Sequence, residues 1–194
     1  MYILAEDTND VDCLKVLIKR LDQSINAKGK GFSSCGNMLN KGKRELVFQV
    51  NRGYSKFIIC YDRDDSTVNQ RRQEVISKII KPSGVKKDNI CILIPVEEME
   101  AWILADIASV SKAIPSWKPN KEFSSPERVS SPKEELTRLS RKERSKPLYN
   151  YATDNATIFK YLDLEILKKK CPSFKVLADF INPPPPPKRK PKKQ

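Results

Sequence analysis

Three short, unbroken apolar runs, each closed by acidic residues, constrain this chain more than any other feature. Tyr2-Ile-Leu-Ala5 ends at Glu6 and Asp7. Lys56-Phe-Ile-Ile-Cys-Tyr61 ends at Asp62, Asp64 and Asp65. Asn89-Ile-Cys-Ile-Leu-Ile94 ends at Pro95 and Glu97. Runs of this length without polar alternation read as strands buried on both faces, a burial that belongs to parallel sheets covered by helices. The intervening segments carry helical spacing. Val11, Leu14, Leu17, Ile18, Leu21 and Ile25 predict a helix over 10–25, capped by Asn9 or Asp10. Val68, Val75, Ile76, Ile79 and Ile80 predict one over 66–80, and Met99, Trp102, Ile103 and Ile107 one over 97–110. The expected fold is therefore α/β: a mainly parallel sheet with helices on both faces.

The remaining segments set the organisation. Residues 28–44 hold Gly29, Gly31, Gly36 and Gly42 among several lysines and read as a loop, followed by a helix over 40–52. Residues 115–135, rich in Ser, Pro and Lys, read as another loop. Short helices over 132–145, 154–161, 163–170 and 174–181 then form a C-terminal extension. The expectation is an α/β domain over 1–110, a basic, mostly helical extension over 111–182 packed on it, and a disordered, Pro-rich basic tail over 183–194.

Composition removes several chemistries. The 194 residues include no histidine, so no Ser-His-Asp triad, Cys-His pair or histidine-bearing zinc site can be built. The five cysteines are scattered without a CxxC pair, which argues against a disulfide framework or a zinc ribbon. Cys60 and Cys91 sit inside apolar runs and read as small core residues. No apolar run approaches the roughly 18 residues of a membrane helix. The opening Met1-Tyr-Ile-Leu-Ala-Glu-Asp7 lacks the basic-then-apolar order of a secretion signal. A reducing cytoplasm and no membrane association are the expectations.

The net charge is +13, and residues 1–110 are nearly balanced, so most of the excess lies beyond them. A positive surface attracts polyanions, above all nucleic acid. Against that field stands the acidic constellation at the strand ends: Glu6, then Asp62 and Asp64, then Glu97, Glu98 and Glu100. In an open α/β sheet the carboxyl edge is where ligands bind, so neighbouring strands would bring these carboxylates together. Clustered carboxylates repel unless a cation neutralises them, and hard oxygen donors suit Mg²⁺ or Mn²⁺. Such an ion polarises a phosphodiester and activates water without any histidine.

Glu6 at the first strand end, with Asp62-x-Asp64 at a later one, resembles the TOPRIM fold of topoisomerases, primases, small ribonucleases and OLD-family nucleases. The stretch Pro95-Val-Glu-Glu-Met-Glu-Ala-Trp-Ile-Leu-Ala-Asp106 resembles a narrower family, small standalone TOPRIM-like proteins with a Glu-Ala-Trp motif, of unassigned function, bacterial and often defence-associated. Ser131–Leu136, Tyr149–Asp154 and Cys171–Phe174 resemble it too, so the likeness covers most of 1–181. It departs from TOPRIM beside Glu6, where Asp7 and Thr8 stand and a glycine is usual. The resemblance implies that Glu6 is a general acid/base or metal-proximal group and that Asp62 and Asp64 bind Mg²⁺. Glu98 and Glu100 match the narrower motif. Glu100 is expected on the metal side with Glu98 second, while Glu97 is expected to be a solvated acid complementing the helix dipole.

Among the basic residues, Lys41, Lys43 and Arg44 are candidates for nucleic-acid contact, with Lys43 also a candidate to stabilise charge on a phosphate. Arg128, Lys133, Arg138, Arg141, Lys142, Arg144 and Lys146, around the Ser- and Pro-rich segment, are candidates for backbone binding. Tyr149 and Tyr151 are candidates for base stacking or for helix packing, and Trp102 for the core. The preferred function is a Mg²⁺- or Mn²⁺-dependent nuclease acting on DNA or RNA, possessing as a further potential partner an ATPase or other protein of a defence system. The alternative is a catalytically silent module of the same fold that binds nucleic acid or a partner. A haloacid-dehalogenase-type phosphatase ranks below both, because its nucleophile loop belongs on the first strand while Asp62-Arg-Asp64 follows a later one.

Overall fold

The computed structural model describes residues 1–63, 66–142 and 146–185. Strand β1 (Tyr2–Ala5) leads into helix α1 (Thr8–Leu21), then β2 (Lys28–Gly31), α2 (Cys35–Asn51) and β3 (Phe57–Cys60). Helix α3 (Val68–Val75) continues through a π turn (Ile76–Ile80) into the short α4 (Lys81–Ser83), and β4 (Ile90–Leu93) follows. The strands form one parallel sheet in the order β2-β1-β3-β4. Then come α5 (Glu100–Ala105), α6 (Val110–Ala113), α7 (Pro132–Leu139), α8 (Tyr151–Ile158), α9 (Leu164–Lys170) and α10 (Pro172–Ile181). None of these helices is long and apolar enough to cross a membrane.

Side chains of successive strand residues point to opposite faces, and here both faces are buried. Ile3, Ala5, Ile58, Cys60, Cys91 and Leu93 pack in one core with Val11, Leu14, Leu17 and Ile18 of α1, with Trp102 and Ile103 of α5, and with Phe159, Leu167, Phe174 and Leu177 from the C-terminal helices. Tyr2, Leu4, Phe57, Ile59, Ile90 and Ile92 pack on the other side against Met38 and Leu46 of α2 and Val75, Ile79 and Ile80 of the α3 region. Each fully buried side chain such as Leu14 or Ile59 contributes about 1.5–3 kcal/mol. The α/β architecture with helices on both faces is thus the one expected. Cys60, Cys91 and Trp102 are core residues.

The C-terminal helices belong to the first of these cores and are tied to it by polar contacts as well. The Arg20 guanidinium donates to the carbonyl of Phe159 at 2.8 Å, the Asp163 N–H to Asp106 Oδ2 at 2.8 Å, and Lys170 Nζ to the carbonyl of Ala105 at 3.0 Å.

Several expected boundaries change. Residues 28–44 are not a loop: Lys28–Gly31 is an edge strand in register with Tyr2–Ala5, and α2 begins at Cys35 with Ser34 as its cap. The reason is steric: a Cβ on Gly31 would lie 2.5 Å from the Thr8 nitrogen, so the start of α1 crosses β2 at a distance that only glycine allows. The cap of α1 is Asp7, whose side chain accepts from the Asn9 N–H at 2.6 Å, rather than Asn9 or Asp10. The helix expected over 97–110 starts at Glu100 and is broken after Ala105 by a 3₁₀ turn over Ile107–Ser109. Part of the loop expected over 115–135 is ordered as a 3₁₀ turn, Pro126–Arg128, and as the start of α7. Of the expected tail over 183–194, residues 186–194 lie outside the described residues.

Candidate functional site

The strand order places a topological switch at the centre of the sheet. From β1 the chain steps out to β2, then returns to β3 on the other side. A crevice opens at the carboxyl ends of the strands flanking such a point. Glu6 follows β1 and Asp62 follows β3, so the two acids stand at that crevice. The Glu6 carboxylate accepts from the Asp62 backbone N–H at 3.1 Å.

A cleft of about 220 Å³ occupies the crevice. Glu6 and Asp62 line it from the strand ends, Asp7, Asn9 and Asp10 from the start of α1, and Ser33 and Ser34 from the start of α2. Glu98, Glu100, Lys133 and Tyr151 close the far wall. Two helix N-termini therefore point here, where their partial positive charge offsets some of the acidic field.

The far wall is a network. Glu98 takes both contacts of one residue: its Oε2 accepts from the Lys133 backbone N–H at 3.0 Å, and its Oε1 pairs with Lys133 Nζ at 2.9 Å. Lys133 Nζ also lies 4.6 Å from the centre of the Tyr151 ring. Burial pulls the Lys133 ammonium down, but the Glu98 hydrogen bond and the charges of Glu100, Glu98 and Glu134 outweigh it and hold the group above the ordinary lysine range. Glu100 is buried, and its Oε1 accepts from Asn155 Nδ2 at 2.9 Å while Asn155 Oδ1 accepts from the Tyr149 hydroxyl at 2.6 Å. Burial pushes the Glu100 carboxyl up, more than Lys133 and Asn155 bring it down. Burial, with the charges of Glu100, Asp7 and Glu6, pushes the Asp10 carboxyl up to about 7.

Glu-Ala-Trp has a structural logic. Glu100 turns to the cleft, while Trp102 turns into the core. There it meets Phe174 edge-on at 5.4 Å between ring centres and donates from Nε1 to Ser173 Oγ at 2.9 Å. The three later segments that share the motif's resemblance all reach this stretch: Lys133 bonds Glu98, Tyr149 supports Glu100 through Asn155, and Ser173 and Phe174 hold Trp102.

The structure thus brings together Glu6, Asp62, Glu98 and Glu100. Asp64 and Arg144 lie outside the described residues. Glu97 is not the solvated acid expected: it adopts a left-handed φ of 64° and pairs with Arg63, because it sits in the turn before α5 rather than in the helix. Lys43 does not line the cleft. It is exposed on α2, eight residues beyond the first helical position and hence roughly 12 Å along the axis. Lys133 supplies the ammonium group instead. Lys41 and Arg44 line a separate groove on α2. Arg138 forms a bidentate pair with Glu135, both contacts at 2.8 Å, while Arg141 and Lys142 are exposed beyond α7. Tyr149 is buried, so it packs rather than stacks on a base, whereas Tyr151 is exposed.

Sequence reasoning missed Asp10 and Lys133 as cleft residues. The signal for Asp10 was its place in the first turn of the helix that follows Glu6 at the strand end. Lys133 stood only among the basic residues that could hold a nucleic-acid backbone, with nothing local to set it opposite Glu98.

Among the described residues, no three His, Cys, Asp or Glu side chains form a ready-made metal cage. The donor chemistry of the cleft nonetheless suits a hard divalent cation: carboxylates predominate, and Asp10 holds its proton to about 7 where their charges crowd.

No curated protein and no solved structure matches the chain. One family profile matches residues 10–182, a span that takes in every cleft residue except Glu6, Asp7 and Asn9. With most of its length matched, the chain belongs to the family described as Domain of unknown function (DUF4276).

Proposed function

We propose that this chain is a Mg²⁺- or Mn²⁺-dependent phosphodiesterase that cuts nucleic acid. The observation that carries this reading is the meeting of Glu6, Asp10, Asp62, Glu98 and Glu100 in one cleft at the switch point of the sheet. In a chain of net charge +13, so acidic a cleft is a local exception that a cation would complete. Glu6 and Asp62 are the first residues to hold the ion, with Glu100 and Glu98 on the opposite wall. Bound there, the ion would supply Lewis-acid activation of a phosphodiester and of water. The chain's own residues do the rest. The Asp62 N–H fixes one oxygen of Glu6, which leaves Glu6 oriented as a base. Lys133 is the cation placed to meet phosphate oxygens at the cleft wall. The basic surface recruits the polyanion. A cytoplasmic setting and a defence role alongside a partner such as an ATPase rest on the family resemblance and belong to the same proposal.

One observation favours a second reading, a silent binding module: Glu98 and Glu100 are already engaged by Lys133 and Asn155. Cleavage of labelled DNA and RNA by the purified chain, with EDTA and with Mn²⁺ added back, separates the two. Cation-dependent cleavage that disappears in Asp62→Asn supports the enzyme. Cleavage equal in wild type and Asp62→Asn, or none with either cation, overturns it.

A further inference from the structure

We propose that the exposed face of α2 is a track for single-stranded nucleic acid, with Phe48 as the platform on which an unpaired base stacks. This rests on the nucleic-acid reading above and extends it to a substrate class and a path.

Phe48 is 53% exposed, the most exposed large apolar side chain among the described residues. It sits in the last turn of a 17-residue helix whose other face packs Met38 and Leu46 into the core. The ring belongs to neither of the two buried cores. Its surroundings are cationic: the Arg52 guanidinium lies 5.5 Å from the ring centre, and Lys41 and Arg44 line with the ring a groove of about 360 Å³. The groove's one acid, Glu45, is satisfied inside the protein by Lys30 at 2.8 Å, the Tyr2 hydroxyl at 2.9 Å and Gln49 at 2.8 Å, so it does not oppose an incoming phosphate.

The spacing makes this a line. Asn37, Lys41, Arg44, Phe48 and Arg52 fall within about 80° of one another on the helix, and so does the cap residue Ser34. Ser34 lines the acidic cleft. The stripe therefore starts at the cleft and runs roughly 27 Å along α2. Cations that follow a backbone, interleaved with an aromatic face, are what a sequence-tolerant single-strand site requires. A duplex keeps its bases stacked on one another and would leave Phe48 idle.

The test is fluorescence anisotropy of the full chain with a fluorescein-labelled oligothymidylate and with a labelled duplex, in EDTA so that binding is read without cleavage. Phe48→Ala is expected to weaken the single-strand affinity about tenfold or more, the scale of one lost base–aromatic stack, and to leave duplex affinity unchanged. Phe48→Trp is expected to keep the affinity and to lose tryptophan emission on binding. Lys41→Glu is expected to flatten the salt dependence by about 0.7 in log K against log salt per lost contact. Equal single-strand affinity in wild type and Phe48→Ala, or an equal loss on duplex, overturns the proposal. So does an unquenched Phe48→Trp at saturation. A separate Mg²⁺ cleavage assay tells the two ideas apart: Phe48-dependent binding without cleavage overturns only the phosphodiesterase reading, and cleavage with Phe48-independent binding overturns only the track.

Discussion

The Glu6 carboxylate accepts a hydrogen bond from the backbone N–H of Asp62 at 3.1 Å, joining two strand ends 56 positions apart in sequence. That bond holds one carboxylate oxygen and aims the other. Glu6→Gln keeps an oxygen that can accept the same bond, so the fold should persist while the charge disappears. Cleavage should fall about 10²-fold or more in Glu6→Gln, as when a positioned general base is removed. Single-turnover cleavage alongside thermal melting checks it. An unchanged rate at an unchanged melting temperature would remove Glu6 from the mechanism.

Under the proposed function, Lys133 and a metal ion would compete for the same wall. In Lys133→Met the backbone N–H still reaches Glu98, but the ammonium is gone. Mg²⁺ should bind more tightly to this variant by calorimetry, because the carboxylates lose their internal counter-ion, while cleavage should slow. The pair is partly exposed, so its loss should cost only about 1 kcal/mol of stability. Weaker Mg²⁺ binding would mean that Lys133 organises the site rather than competing for it.

Asp10 makes stability depend on pH in a predictable direction. Its carboxyl titrates near 7 in the fold against an ordinary value of 3.8. Between those values the folded chain keeps a proton that the unfolded chain has released, so this group's contribution to stability falls as pH rises through the window and is flat above it. Asp10→Asn removes that slope. The urea midpoint of the variant should gain on wild type from about pH 4 to pH 7 and hold its lead beyond. A constant difference across the range would show that Asp10 titrates normally.

Two glycines give opposite results on substitution by alanine. At Gly31 a Cβ would come within 2.5 Å of the Thr8 nitrogen and 2.6 Å of the Asp7 carbonyl carbon, both backbone atoms that cannot swing aside. Gly31→Ala should destabilise by about 1–3 kcal/mol and disturb the acidic rim through Asp7. At Gly36 a Cβ meets nothing within 4 Å, and the residue is helical. Gly36→Ala should stabilise by about 0.5 kcal/mol. Denaturant unfolding of both variants decides it.

What could be read from the sequence follows from which signals are local. The unbroken runs at β1, β3 and β4 carry their own burial pattern, so the sheet and the positions of Glu6 and Asp62 at its edge were legible. Strand β2 was not: Lys28-Gly-Lys-Gly31 has no β-forming side chain, and it is a strand only because β1 offers it a ladder and α1 needs glycines beneath it. Glu97 was misread because its neighbours favour a helix start, whereas Arg63, from another strand end, holds it in a turn. Lys133 meets Glu98 across 35 positions through a Ser- and Pro-rich segment, and no periodicity records such a contact.

The cleft's acids and the groups that answer them enter the world at different times. During synthesis the residues that carry Glu6, Asp10, Asp62, Glu98 and Glu100 leave the ribosome before Lys133, Tyr149, Tyr151 and Asn155 exist. Trp102 likewise waits for Phe159 and Phe174. A nascent chain that stops short of α8 therefore holds a half-made, mutually repelling set of acids and an unroofed core, so the order of translation itself delays the assembled cleft and its core until the residues through Phe174 are present.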